Sequence, residues 1–203
     1  MSLVVVLLIL IVVSILGVGA AQMALSGERA SRYDRDYQVA WQSADSGISD
    51  ATDDISGHGS NAALSRASLF VADDAGTEFS PGCVAPDTRH AGMCKKASDE
   101  ETPAWQTVDF LASGDSALAN GTNATYTVAG QFTGRAFAAG SVGIQPAHAP
   151  RYVIENMPGA GAEGMSAKIG DAREFSFHRI TAVGFGPNQD TQVALQAIYQ
   201  KAE

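Results

Sequence analysis

The sequence predicts an α+β fold in which one long N-terminal helix packs against a C-terminal antiparallel β-sheet. Three observations support this prediction. The first 27 residues contain no ionisable side chain, and apolar residues then recur every three or four positions up to residue 55. The second half of the chain alternates runs rich in β-branched and aromatic residues with turn residues. The first two patterns are typical of helices and the third of strands.

The N-terminal segment, residues 1–27, is predicted to span a membrane. Its residues 3–13 are Leu, Val and Ile only, and the first charged side chain is Glu28. About 20 apolar residues in a helix cross the roughly 30 Å hydrocarbon core of a bilayer. A secretory signal peptide starts with a basic region, which is absent before Leu3. Two explanations stay open, a leader removed before Met1 or an unusual native start.

The next segment, residues 28–56, is predicted to continue the helix as part of a single globular head formed by residues 28–203. Its apolar face follows a helical period and comprises Tyr33, Tyr37, Trp41, Ala44, Ile48, Ala51 and Ile55. The opposite, hydrated face includes Asp45, Asp50 and Asp53. Gly57 and Gly59 are expected to end the helix, because glycine readily takes a left-handed conformation.

The aromatic residues of this apolar face are assigned two roles. Trp41 is expected to join the core of the head. Tyr33 and Tyr37 lie closer to the membrane-spanning segment, so they are expected to contact a neighbouring subunit.

The strands are expected in the second half of the chain. The candidate strands are residues 125–129, 131–137, 151–155, 175–185 and 191–199. A turn-rich stretch, residues 184–190, separates the last two, which favours a hairpin. Val193, Leu195, Ala197 and Tyr199 share one strand face and are expected to sit on the long helix. Residues 73–102 are predicted to form a loop.

Cys83 and Cys94 are the only cysteines, and they lie in a polar stretch that contains proline and glycine. A close, even pair in a loop indicates a disulfide formed in an oxidising compartment, and the alternative is two free thiols. The net charge of −9 and the scattered basic residues argue against a nucleic-acid partner.

The sequence offers little support for catalysis or metal binding. It contains no nucleophile elbow, phosphate-binding loop or zinc-protease motif. His58, His90, His148 and His178 are expected at the surface or in turns. A zinc site at Cys83, His90 and Cys94 would lack a fourth ligand, and the acidic pairs Asp53–Asp54 and Asp73–Asp74 are expected to be solvated surface. We therefore predict no enzyme activity, no cofactor and no metal.

Two parts of the chain resemble the PilX-type minor pilins of the type IV pilus. The N-terminal part comprises residues 1–17, 27–29 and 37–45, and the C-terminal part comprises residues 179–186 and 193–199. The resemblance implies a pilin fold, a non-enzymatic structural role and a removed leader, with Met1 as the processed and N-methylated terminus. It also implies a head that is periplasmic while the helix is anchored in the inner membrane, and extracellular after assembly into the pilus.

One position departs from the pattern of major pilins, whose fifth mature residue is a glutamate that neutralises the terminal ammonium of a neighbouring subunit. This chain has Val5. Since an unpaired buried charge is costly, the resemblance implies a subunit that primes assembly or sits at the pilus tip, supporting adhesion and twitching motility. The expected partners are other minor pilins, the major pilin and a PilY-type tip adhesin. The alternatives are a minor pseudopilin of type II secretion and a membrane-anchored periplasmic enzyme or binding domain.

Overall fold

The fold consists of one long helix and a five-stranded sheet, as the sequence predicts. The computed structural model describes residues 2–70, 77–98, 102–112, 125–140, 143–157 and 175–202. Helix α1 spans Ser2–Ser56. The strands are β1 (Met93–Lys95), β2 (Thr127–Val128), β3 (Arg151–Asn156), β4 (Phe175–Phe185) and β5 (Gln192–Ala202). Within these ranges, short 3-10 turns lie at Ala67–Leu69, Pro81–Cys83, Thr88–His90 and Ala104–Gln106.

Helix α1 is 55 residues long, which corresponds to roughly 80 Å. It ends just before Gly57, as predicted from the sequence, because Gly57 takes a left-handed conformation with a φ of 78°. Gly59 then passes so close to Thr133 that an added Cβ would lie 2.8 Å from the Thr133 backbone. The two glycines therefore let the chain leave the helix and turn back along the head.

The sheet has the order β1-β3-β4-β5, and β2 pairs with β3. The β4–β5 hairpin and the β3–β4 pair are antiparallel, as predicted. In contrast, β1 pairs with β3 in parallel, Met93 lying opposite Ile154. This strand falls in the predicted loop, and its three residues are too few to show a periodic pattern.

The predicted strand at residues 131–137 is wrong, because the chain forms turns there. Gly130 and Gly134 both have positive φ angles, and an added Cβ at Gly130 would lie 2.1 Å from the Arg135 carbonyl oxygen. A turn this tight prevents the extended conformation. Instead, the turn places Thr133 and Arg135 against Asp50 and Asp53 of α1.

Apolar side chains cover both faces of the sheet. On one face α1 contributes Ala51 and Ile55 to a core with Phe70, Ile154 and Ile180. The other face packs against a second core, which includes Cys83, Cys94, Val108, Phe110, Tyr126, Val153, Val183 and Phe185. Along β5, Val193 is buried and Leu195, Ala197 and Tyr199 are partly buried beside α1, which confirms the predicted face.

Candidate assembly surface

The stem, residues 2–27, exposes its apolar side chains. From Leu3 to Leu25 the large apolar residues keep between 46% and 78% of their surface accessible. The helix is long and apolar enough to cross a membrane, and its most apolar window has a mean hydropathy of 3.2. Exposure of so much apolar surface to water is unfavourable, so lipid or the helices of other subunits must cover the stem.

Between the stem and the buried part of α1 lies a charged segment, residues 28–36. It carries Arg29, Arg32 and Arg35 against Glu28, Asp34 and Asp36, so its formal charges cancel. Arg32 pairs with Glu28 one turn away, and Arg35 lies 3.5 Å from Asp36. A balanced segment of this kind remains hydrated without repelling similar segments on neighbouring helices.

An aromatic stripe, defined by Tyr33, Tyr37 and Trp41, follows on one side of α1. These side chains are 62%, 46% and 46% exposed. Residues four positions apart are neighbours on a helix surface, so the three rings extend the exposed apolar surface of the stem towards the head. The prediction that Trp41 belongs to the core of the head is therefore wrong.

The position of Trp41 follows from how α1 meets the sheet. The contact is made by Ala40 and Ala44, which are fully buried. Gly184 of β4 comes so close that an added Cβ would lie 2.1 Å from the Ala44 nitrogen and 2.2 Å from the Ala40 oxygen. Only small side chains fit this contact, so Ala40 takes the inward position and Trp41, the next residue, points outwards.

The predicted assembly residues lie at different distances from the head. Val5 lies near the start of the stem and is 57% exposed, whereas Tyr33 lies within the charged segment and Tyr37 directly follows it. Met1, the predicted site of processing and methylation, lies outside the described residues. The assembly roles of Val5, Tyr33 and Tyr37 stay predictions at this point.

A buried ion pair fixes the end of α1 to the head. Arg66 donates to both carboxylate oxygens of Asp54, with the shortest distance 2.7 Å from Nη2 to Oδ2, and neither side chain is exposed. The Arg66 guanidinium also donates to the Ala91 carbonyl oxygen and the Thr127 hydroxyl. Tyr152 donates its hydroxyl to Asp54 at 3.0 Å. The pair thus connects α1 with β2, β3 and the chain before β1.

Two more helix carboxylates hold the turn at residues 130–135. Asp50 accepts hydrogen bonds from the Gly130 N–H and the Thr133 hydroxyl, and burial raises the pKa of Asp50 despite these bonds. Asp53 lies 2.7 Å from the Arg135 guanidinium. The expectation of a solvated acidic surface is wrong for Asp53–Asp54, and Asp50 does not lie on a hydrated face. Asp73 and Asp74 are outside the described residues.

The disulfide between Cys83 and Cys94 is present, and both residues are fully buried in the second core. Their sulfurs are bonded to each other, so they are not available as zinc ligands with His90. His90 instead contacts Asp87 at 2.6 Å and Glu78 at 2.8 Å. Partial burial works against the charged ring, but the hydrogen bonds that the ring donates to Glu78 and Asp87 outweigh it and raise the pKa of His90.

His178 is buried, contrary to the expectation for the histidines. Its ring packs between Phe70 and Phe79, with ring centroids 5.5 Å and 5.8 Å away. Burial, together with the charge of Lys201, lowers the pKa of His178 to about 4. The burial of His178 could have been predicted from the sequence, because His178 shares its strand face with Ile180 and Ala182. Within the described ranges, no group of three or more His, Cys, Asp or Glu residues is placed to hold a metal ion.

Comparison with known protein families supports the assembly interpretation. The model of the PilX N-terminal region matches residues 1–49, and the model of the C-terminal region of the type IV pilus assembly protein PilX matches residues 90–201. No curated protein matches the chain, and no solved structure does. The two family matches include the stem, the aromatic stripe and all five strands. The chain therefore belongs to the PilX family, whose members are minor pilins and structural components of the type IV pilus.

Proposed function

We propose that this minor pilin primes pilus assembly together with other minor pilins and then occupies the pilus tip. The absence of a carboxylate from the stem carries this proposal. The first 27 residues contain no ionisable side chain, and Val5 presents an isopropyl group. If another subunit lay above this one in the filament, the terminal ammonium of that subunit would be buried without a counter-charge, which is costly in an apolar core. A subunit at the tip has no pilin above it and avoids this cost.

The exposed apolar surface of α1 supports assembly through packing of this helix against the helices of other subunits. The stem packs among the helices of other minor pilins and of the major pilin. Tyr33, Tyr37 and Trp41 continue that contact beside the charged segment. Aromatic side chains bury a large apolar area and are enriched at protein interfaces. The aromatic stripe therefore contributes to subunit contacts and leaves the folding of the head unaffected.

The disulfide and the apolar stem support the location of the subunit. Before assembly the stem spans the inner membrane and the head lies in the periplasm, where oxidising conditions maintain Cys83–Cys94. After assembly the head is extracellular. At the tip it is placed to meet a PilY-type adhesin and to support adhesion and twitching motility.

The first test compares the aromatic stripe with its neighbours on α1. In a strain lacking this gene, a chain with Tyr33→Ser, Tyr37→Ser and Trp41→Ser should restore far fewer surface pili than the wild-type chain, counted by electron microscopy. The control carries Gln38→Ser and Gln42→Ser, which alter exposed polar residues of the same helix segment. Both purified chains should keep the melting temperature of the wild-type head. Equal loss of pili in the control would contradict a role for the stripe.

The second test locates the subunit. An epitope inserted in the β4–β5 turn, beside the exposed residues Asn188 and Gln189, is labelled with gold on intact pili. The proposal predicts label at filament ends only. Label spaced along the whole filament would overturn the assignment to the tip.

A further inference from the structure

Strand β5 forms an edge of the sheet in the described part of the chain. It is eleven residues long and stays in register with β4 from Gln192 to Ala202. Edge strands in natural proteins are usually short, or carry charges, prolines or bulges that prevent pairing with other chains. Residues 192–200 contain no Asp, Glu, Lys, Arg or Pro, although the whole chain has a net charge of −9. From residue 192 to residue 200, the β5 edge therefore carries neither the charges nor the prolines that usually protect an edge strand.

One set of backbone hydrogen-bonding groups on this edge has no partner among the described residues. The Gly186 N–H donates to the Thr191 carbonyl at 2.8 Å, and hydrogen-bonded pairs alternate along an antiparallel ladder. The register then directs one alternate set of backbone groups away from β4, those of Gln192, Ala194, Gln196, Ile198 and Gln200. Within the described residues, no other backbone group bonds to them. As far as the described residues show, they can therefore pair with one more strand.

A groove of about 500 Å³ lies beside the beginning of this edge. Its lining includes Trp105, Val108, Phe110 and Val183, together with Gln192 and Ala194 of β5. Its volume falls in the range of small binding pockets, roughly 300–1,000 Å³. A strand that pairs with β5 projects alternate side chains onto this face of the sheet. One of them could enter the groove.

A second copy of this chain does not fit the edge. In an antiparallel pair of β5 strands, a two-fold axis perpendicular to the sheet would reverse the second α1, which lies along the sheet. The two stems would then point in opposite directions, which one membrane or filament does not allow. A parallel pair would turn the second sheet over and bring its Val193 and Leu195 to the groove. Those side chains are already packed beside their own α1.

We propose that the β5 edge and the adjacent groove bind an extended strand from a different component of the pilus. The strand adds to the sheet through backbone hydrogen bonds, and an uncharged apolar side chain occupies the groove. The bound segment carries no charge where it faces residues 192–200. This inference rests on the proposed function, because it requires a pilus partner.

The test uses photo-crosslinking in cells that assemble pili. The chain carries p-benzoylphenylalanine in place of Gln196 on the edge, or in place of Ile144, which lies in the loop before β3 and not on the edge. Ile144 is 59% exposed and serves as the matched position. Only the probe at position 196 should give a product with another pilus component. Mass spectrometry should map the attachment to one short uncharged segment of that component.

A paired substitution tests whether the edge itself makes the contact. Ile198 is 68% exposed, so Ile198→Glu should leave the melting temperature unchanged but place a carboxylate where the added strand would cover it. The crosslinked product should fall at least tenfold. Ile144→Glu, the same change off the edge, should leave the product unchanged.

Three results would overturn the inference: no product above the level from position 144, a product with a second copy of this chain, or a product that Ile198→Glu does not reduce. The proposed function has a separate readout. If deleting the gene leaves pilus number unchanged, the proposed function fails. If the chain restores pili and position 196 gives no product, only the inference fails.

Discussion

At the scale of single residues, the buried pair Asp54–Arg66 determines how the head attaches to α1. Both side chains are fully buried, and Arg66 makes further bonds to the Ala91 carbonyl and the Thr127 hydroxyl. Its guanidinium also lies 3.8 Å from the centre of the Phe132 ring. Removal of either partner would leave an uncompensated charge in the core, at a cost of about 3–5 kcal/mol. The pair therefore gives the head one defined position on the helix.

His178 gives the head a pH dependence of its own. The pKa of His178 is about 4 in the folded chain, against an ordinary value of 6.5. Between these values the unfolded chain binds a proton that the folded chain does not. The contribution of the neutral, buried His178 to the free energy of unfolding is therefore complete above pH 6.5. It is lost as the pH falls towards 4. Two to three pKa units correspond to about 3 kcal/mol of unfolding free energy.

The measurement is the free energy of unfolding of the full chain in detergent, from denaturant titrations followed by tryptophan fluorescence between pH 4 and 7. His178→Phe is the comparison, since a second aromatic ring can pack against Phe70 and Phe79 without titrating. The difference between wild type and variant should change by about 3 kcal/mol over this range. His90 and Asp50 titrate in both proteins and cancel in the difference. A difference independent of pH would show that the buried ring is not the source.

Residue identity alone did not reveal these buried polar groups. Asp54 and Arg66 are twelve positions apart, and their pairing depends on the turn made by Gly57 and Gly59. The helical period placed Ala44, Ala51 and Ile55 correctly in the core. The prediction that Trp41 is also buried relied on the apolar character of its ring and took no account of its size. Packing against Gly184 excludes a large ring there, and only the tertiary structure shows this.

At the scale of elements, the contact between α1 and β4 depends on the absence of a side chain at Gly184. An added Cβ would overlap the Ala40 oxygen and the Ala44 nitrogen, both of them backbone atoms. We predict that Gly184→Ala destabilises the head by about 1–3 kcal/mol or more, because α1 must move away from the sheet. Thermal unfolding of the purified chain measures this.

A control for this prediction is Gly27→Ala. The Gly27 position has no other atom within 4 Å of an added Cβ. Alanine there should only favour the helix, by about 1 kcal/mol or less. If Gly184→Ala unfolds at the same temperature as wild type, the helix and the sheet are not in such close contact.

The sequence predicted the regular elements well where they are long. Strands β4 and β5 and the helix end at Gly57 follow from patterns of nine or more residues. Strands β1 and β2 have three and two residues, and their pairing with β3 depends on the fold around them. Tyr33 and Tyr37 are exposed, as expected from their place before the head, and their role in assembly stays a prediction. The edge position of β5 could not be predicted from the sequence, because it depends on the order of the strands in the sheet.

At the scale of the whole molecule, α1 joins two environments with different requirements. Its stem needs an apolar surrounding, whereas its second half belongs to a head with hydrated surfaces. The charged segment between them is balanced, with three arginines and three carboxylates. Under the proposed function, the head keeps the same fold while the stem exchanges lipid for other helices. Assembly would then depend on what the stem presents, and we propose Val5 as the position where a charge matters most.

The last prediction concerns Val5→Glu. A carboxylate at this position should pair with the terminal ammonium of a neighbouring subunit, which removes the cost of burying that charge alone. The variant should then enter the filament at internal positions. Gold label on the β4–β5 turn should appear along the filament as well as at its end, and the number of labels per pilus should rise several-fold. Val5→Gln has the same shape without the charge, so its label should stay at the end. If Val5→Glu also stays at the end, then the missing carboxylate does not confine this subunit to the tip, and contacts of its head must do so.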